Sequence, residues 1–563
     1  MDNDLTYAVI EVGGIQNYIL NTGKLKEMIG GSQLVEDLSK GILENALKEQ
    51  GFTLVEPHQA LKPEGDKVLA LQRNAGEIHL LFASRDKAKK FISSFIWNVS
   101  TRYPGLPIFG ALNDESEPCS WEDKGSYARS RGSAQSGITR LRNRAPVTTG
   151  MSMLPLCRQA RLDALPAVDN DSGEFRSVCS RTKQSPWLLE AAERRLHEKF
   201  DDLTPGCRIK WTDNIETLAG TDSKVAYIHI DGNDLGKLFR SFLESDEYKN
   251  MDVEHSIKAM GSLSSLVENS TRRAMDDGLR AIIRFEYENR KGSNIGSHLT
   301  VPARPLVQGG DDVTIVVRAD LALLFVDQFV STFEREAVTE IGGRKIRLSV
   351  GVGMVICQMG YPFIRAFNLS EELLKNAKDL TKDETVRPSS LDYLVITNEV
   401  ENDLDVIRHH IAKTEDKKTM LTAKPLILSG NNLYDFVKKG LKVLDKLPRS
   451  TVRPAMNLCR KGKDASKSAF ETLERNINRQ LGGRASSELM TADEFNWIFP
   501  EHSFFTTVHS EIKGRSAEAT CLGDWLELPH LLPADQGDKN AQTPSDRITN
   551  YLAMFSVTEE KQG

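Results

Sequence analysis

The sequence predicts an α+β protein made of two diverged copies of one α/β module, a stretch poor in strand signal between them, and a helical C-terminal region. Two paired observations carry this. Tyr7 to Ile19 (YAVIEVGGIQNYI) and Ala226 to Phe239 (AYIHIDGNDLGKLF) each read as an apolar strand, a glycine turn and a helix start. Each is followed by an apolar hairpin, LALQRNAGEIHLLF from Leu69 to Phe82 and PLVQGGDDVTIVV from Pro305 to Val317. A repeated element order takes precedence because it decides the architecture. The 563 residues also suit several domains, at about 100–200 residues each.

Taken in order, residues 1–115 form the first module, with its strand, helix and hairpin. Residues 116–220 are rich in Arg, Ser and Pro. Residues 221–400 form the second module, where Leu235, Leu238, Phe239, Phe242 and Leu243 recur at helical spacing after the glycine turn. Residues 401–563 carry helical patterns such as LYDFVKKGLKVLDKL, Leu433 to Leu447, and end in a polar loop or tail around LLPADQGDKNAQTPSD.

Composition narrows the class. Lys and Arg number 73 against 79 Asp and Glu, a net charge of −6, so polyanion contact has to come from local patches. Seven scattered cysteines are no disulfide scaffold and suit a reducing cytoplasmic compartment. Met1-Asp2-Asn3-Asp4 is no signal peptide, and no run approaches the ~18 unbroken apolar residues of a membrane helix.

The sharpest chemistry is Gly309-Gly310-Asp311-Asp312 at the tip of the second hairpin, with Asp231 at the end of an apolar strand. Each motif alone is also an ordinary turn: a glycine hairpin in one case, an Asx turn capping a helix in the other. Together they place three carboxylates where mutual repulsion asks for a cation. Mg²⁺ or Mn²⁺ fits, taking carboxylate oxygens and completing its shell with substrate phosphates. Two such ions activate a hydroxyl and stabilise leaving pyrophosphate. The glycines let backbone approach a triphosphate. Other templates fail: there is no GxxxxGK[ST], GxSxG or HExxH, and Gly232 to Lys237 is one residue short of a phosphate loop.

These residues resemble the cyclase palm of the large subunit of type III CRISPR effector complexes. The likeness extends to Tyr7–Leu34 (GIQNYI, LKEMIGGSQL), Leu348–Lys378, Ser389–Ile396 and Leu421–Pro425, in consistent order over most of residues 5–480. It implies two ferredoxin-like palm domains and the joining of ATP into cyclic or linear oligoadenylates or related adenylyl products in antiviral defence. It implies Asp231, Asp311 and Asp312 as ligands of two metals, and Gly232, Asp234, Gly309, Gly310 and Lys378 as nucleotide contacts. Lys378 is equally a solvated helix-end cation, and Asp234 is open between ribose, solvent and metal. The first copy reads Asn74-Ala75-Gly76-Glu77 at its hairpin and Glu11 at its strand end, so it is expected to be catalytically silent. Effector small subunits and guide or target RNA are the implied partners, through the C-terminal and basic regions.

Two departures matter. No His-Asp dipeptide occurs, so the family's HD nuclease is not expected in this chain. The family's zinc ribbon is reduced to Cys157 and Cys179, too few thiolates for a tetrahedral site, so no zinc is expected. Between Lys124 and Arg144 the sequence has Arg129, Arg131, Arg140, Arg142 and no acid, a candidate flexible loop for polyanion contact, though a solvated face is the commoner explanation. The competing function is a non-catalytic, nucleotide-binding scaffold subunit; clustered carboxylates argue against it.

Overall fold

The computed structural model describes residues 4–531 and Tyr551, except 21, 57–61, 75, 145–177, 291–297, 342–343, 383–386, 397–403, 405–412, 416–418, 429–431, 448, 481–489, 502 and 509–516. The apolar runs of the first module become β1 (Asp4–Val12), β2 (Thr53–Val55), β3 (Lys67–Asn74), β4 (Glu77–Phe82), β5 (Ile108–Leu112) and β6 (Cys119–Ser120). Their order is β2-β3-β4-β1-β5, with β6 on the start of β1.

After β7 (Arg208–Trp211) comes β8 (Lys224–Gly232). It is followed by β9 (His298–Val301), which pairs with β7, and by the hairpin of β10 (Ala303–Gly309) and β11 (Asp312–Arg318). A small ribbon of β12 (Val338–Ile341) and β13 (Arg344–Arg347) precedes β14 (Val350–Gln358), β15 (Ser390–Val395) and β16 (Leu426–Ile427). The second sheet runs β10-β11-β8-β14-β15-β16. Through β16 it reaches past residue 400, the expected start of the helical region.

The antiparallel core β3-β4-β1-β5 repeats as β10-β11-β8-β14, the strand order of a ferredoxin-like palm. The copies agree in a finer detail. The hairpin register slips between Ala70 and Gln72 in the first and between Pro305 and Val307 in the second, each starting seven residues before the strand that follows the turn. A bulge is a built feature of a sheet, and its recurrence at one place favours duplication over coincidence.

Both central strands are buried on both faces, which is why they read as near-continuous apolar runs. One face of each sheet meets its own helices. The other face of each sheet meets the other copy. Tyr7, Val9, Leu69 and Leu81 pack with Phe239, Tyr248, Val253 and Ile257, while Tyr227, Leu306 and Val355 share a core with Ile19, Met28 and Leu34. Beneath the second sheet, Phe325, Phe329 and Phe333 recur at i, i+4 on the helix Ala322–Glu336, fully buried against the 38-residue helix Val253–Arg290. C-terminal helices, among them Asn432–Lys446 at the expected place, extend the same core.

The basic stretch is corrected here. It is not a flexible loop but the helix Ser126–Arg144, because Tyr127, Ala134 and Ile138 recur on one face and bury on the first sheet. Arg131 turns inward toward Tyr7, Tyr127 and Tyr248. Arg129 pairs with Asp123 and Arg142 with Glu11. Arg140 stays exposed. Cys157 lies outside the described residues; Cys179 is buried against Gly105 and Tyr18. Among the described residues no helix is long and apolar enough to cross a membrane.

Candidate active site

β8 runs antiparallel to β11, and its pleat puts Tyr227, His229 and Asp231 on the face turned toward the first copy. The turn joining β10 to β11 needs Gly310, whose φ is +62°, in the left-handed region. Gly309 ends β10 opposite Asp312. Gly232 is required sterically: a Cβ there would overlap Leu235 and come 2.9 Å from Asp311 Oδ2. This close approach sets the Asp311 carboxyl against Asp231. Burial first, and the Asp231 carboxylate second, push the Asp311 pKa up to about 7.

Lys378 supplies the local positive charge. It sits in the last turn of the helix Phe363–Leu380 and donates to Asp231 Oδ2 and, at 2.8 Å, to the Gly232 carbonyl. It reaches them because Gly351 of β14 has no side chain: a Cβ there would meet Lys378 Cγ at 2.6 Å.

Asp312 stands beside this pair, with both of its oxygens engaged elsewhere. Its Oδ1 accepts from His229 Nε2 at 2.9 Å, and its Oδ2 accepts from Gln16 Nε2 at 2.7 Å. One step beyond the Val313–Ile230 pair, Asp312 enters β11 beside Asp231 and adds to the negative charge that raises the Asp311 pKa, so the three carboxylates do neighbour one another, with the oxygens of Asp312 engaged by His229 and Gln16. His229 is nearly fully buried, stacked on Phe367. Burial, opposed by His229 and reinforced by Asp312, raises the pKa of nearby Glu371. Gln16 comes from the first copy, so one carboxylate of the GGDD turn is held across the two palms. Gln16→Ala is expected to lower stability by about 1–2 kcal/mol, as for a hydrogen bond to a charged group, with most of that loss absent in an Asp312→Asn background; thermal denaturation of the cycle measures it.

Asp234 lies apart from the carboxylate pair. It holds a left-handed backbone at the helix start, φ +54°, and pairs with Lys237 at 3.0 Å and Arg387 at 2.8 Å. Buried Asn233 pins the turn through Ser349, 2.9 Å from side chain to side chain and 2.8 Å from its backbone N–H to the Ser349 carbonyl.

The first palm keeps a worn copy of this arrangement. Glu11 matches Asp231 in position, and Arg142, on the helix that follows β5 and β6, pairs with it at 2.8 Å as Lys378 does with Asp231. Glu77 lies opposite Glu11 and matches Asp312; its partner is buried His79 at 2.7 Å. Burial, the largest single influence, would raise the Glu77 pKa, but the His79 hydrogen bond and the charges of His79 and Arg131 together outweigh it and lower the value. Gly76 stands where Asp311 stands in the second copy, so no carboxylate comes from that turn position.

No group of three or more His, Cys, Asp or Glu is placed to hold a metal among the described residues. Asp231 and Asp311 nevertheless fit one hard cation: they are hard oxygen donors, opposed and partly desolvated, with Lys378 as counter-charge. A second ion would need Asp312 to leave His229 and Gln16.

Sequence reasoning missed His229, Gln16 and Arg387. Period-two alternation from Asp231 was the available signal for His229. Gln16 and Arg387 reach the site only through the fold.

The family description Cas10/Cmr2, second palm domain, matches residues 224–386. No curated protein matches the chain. Among solved structures it is similar to a Csm1–Csm4 cassette in complex with cA4, at 12% identity and TM-score 0.45, covering 86% of this chain and 63% of that one. It is similar to the cassette in complex with one ATP, at 13% identity and TM-score 0.46, covering 98% and 70%. Csm1 in T. onnurineus aligns at 14% identity and TM-score 0.43, again covering 98% and 70%. The chain thus spans about two thirds of the length of these relatives, and 63% of the first. Residues 224–386 of this chain thus form a second palm domain of the Cas10/Cmr2 type.

Proposed function

We propose that the second palm is a nucleotidyltransferase joining ATP into cyclic or linear oligoadenylate-type products. The observation that carries this reading is the Asp231–Asp311 pair at the glycine turn, with Lys378 on it. In the proposed reaction a 3′-hydroxyl attacks the α-phosphorus of a second ATP, the new P–O bond forms, and the bond to pyrophosphate breaks. The hydroxyl proton leaves to solvent or a carboxylate. Asp231 and Asp311 would hold Mg²⁺ or Mn²⁺, which when bound supplies charge neutralisation at the triphosphate. Gly309 and Gly310 would lie against the triphosphate, with Gly232 and Asp234 bordering the nucleotide. Lys378, released from Asp231 when positive charge arrives there, would turn to phosphate oxygens. Asp312 would keep the turn fixed to the first palm through Gln16 and His229. The first palm is read as catalytically silent because Gly76 replaces the second carboxylate.

By analogy with Csm1–Csm4 cassettes in complex with one ATP and with cA4, ATP and effector subunits are the proposed partners of this chain. RNA is a further proposed partner, through the C-terminal helices and the exposed Arg140.

Incubation with each NTP and Mg²⁺ or Mn²⁺, with and without co-purified nucleic acid, tests the reading by mass spectrometry of products. Adenylyl oligomers and pyrophosphate are expected with ATP, and none with Asp231→Ala. Absence of pyrophosphate under every condition would leave the nucleotide-binding scaffold in its place.

A further inference from the structure

Trp497 is an exposed aromatic surrounded by cations. It lies on the short helix Ala492–Ile498 and is 37% exposed, while Phe495, Ile498 and Phe499 bury and anchor the segment. From the helix Asn432–Lys446, Lys438, Lys439 and Lys442 bring their ammonium groups to 5.7, 5.1 and 6.0 Å from its ring. Lys442 is also paired with Glu494. Lys438 and Lys439 have no ion pair among the described residues. The surroundings are basic in sequence as well: from Lys438 to Lys467 there are ten Lys or Arg and two Asp or Glu, in a chain whose net charge is −6.

Three ammonium groups around one ring repel each other, and the indole face only partly offsets that repulsion. A polyanion removes it. Charge alone would suit an acidic protein surface equally well. The accessible indole distinguishes the two, because its π-face accepts a planar base, and stacking plus cations along the backbone is how unpaired strands are held.

We propose that Trp497, Lys438 and Lys439 form a stacking platform for single-stranded nucleic acid, with a base on the indole and neighbouring phosphates at the two lysines. The proposal gives the RNA part of the reading above a definite place. It does not depend on the Asp231–Asp311 chemistry.

The test is fluorescence anisotropy of a labelled mixed-sequence single-stranded RNA with the full chain over a range of salt. Trp497→Ala is expected to weaken binding about 5- to 150-fold, the range for losing one stacked base, with Trp497→Phe within a few-fold of the parent. Lys438→Gln with Lys439→Gln is expected to shallow the slope of log affinity against log salt by about 1.4. Trp97→Ala, at a still more accessible indole on the first palm, should change nothing. The proposal is overturned if the parent does not bind, if Trp497→Ala binds like the parent, or if duplex RNA binds with the same dependence on Trp497. It is also overturned if polyglutamate takes the site with that dependence, which would assign the surface to an acidic protein. ATP-joining assays on the parent chain keep the two failures apart: RNA binding that depends on Trp497 without transfer indicts the catalytic reading, and transfer without RNA binding indicts the platform.

Discussion

Asp311→Asn is expected to remove nucleotidyl transfer by about 10³-fold or more while making the metal-free protein more stable. The activity loss follows from deleting one of the two opposed carboxylates proposed to hold the cation; about 4 kcal/mol of transition-state stabilisation corresponds to that factor. The stability gain follows from linkage. The Asp311 pKa is raised from the ordinary carboxylate value of 3.8 to about 7 by burial and by Asp231. Between those values the folded state holds a proton that the unfolded state has released. Stability therefore falls as pH rises from about 4 through about 7, and the deficit is complete above that. Asparagine carries no charge to desolvate, so the variant should lack this slope and gain about 2 kcal/mol at neutral pH, a value discounted for partial solvent access. Thermal denaturation without divalent ions, from pH 4 to 8, measures it. A parallel series with Mn²⁺ should stabilise the parent and not the variant. Equal pH slopes in the two proteins would remove the carboxylate repulsion from the account.

Gly353→Ala is expected to cost about 3 kcal/mol or more and to yield mostly insoluble protein. Gly353 lies on β14 under the helix Phe363–Leu380, where a methyl would overlap the Ser370 carbonyl oxygen and reach 2.5 Å from the Leu374 nitrogen. Both neighbours are helix backbone, so no rotamer change relieves the clash, and the helix itself has to lift. Lys378 rides on that helix. Any soluble fraction should therefore show impaired transfer along with a lowered denaturation midpoint, whereas Gly360→Ala, with open space around it, should leave both unchanged.

Much of the architecture was legible because the two palms repeat a local pattern. Strand, glycine turn and helix can be read from Tyr7–Ile19 and again from Ala226–Phe239, since each signal lies within a few residues. The glycines at 309 and 310 marked the turn, and Asp231 marked the strand end. What could not be read were the directions of side chains meeting across long sequence distances. Asp312 was legible as a neighbour of the other two carboxylates, but that His229 and Gln16 take its oxygens was not. The arginines of 129–144 looked like a loose phosphate-binding loop because serine and glycine are interleaved with them. Burial of Tyr127, Ala134 and Ile138 against a distant sheet overrode the low helix propensity of those residues. Arg142 was read as free for polyanions, and its partner Glu11 is supplied by the first strand of the chain.

The exchange of packing between the palms has a consequence for synthesis of the chain. On the ribosome, the first sheet emerges with the Tyr7, Val9 and Leu81 face incompletely covered, since Phe239, Tyr248, Val253 and Ile257 have yet to be translated. At ordinary elongation rates that interval lasts on the order of ten seconds. During it an apolar sheet face stands open to chaperones and to neighbouring nascent chains. A nascent chain stalled between the palms should accordingly be retained by chaperones, and one stalled after the helix Val253–Arg290 should be released.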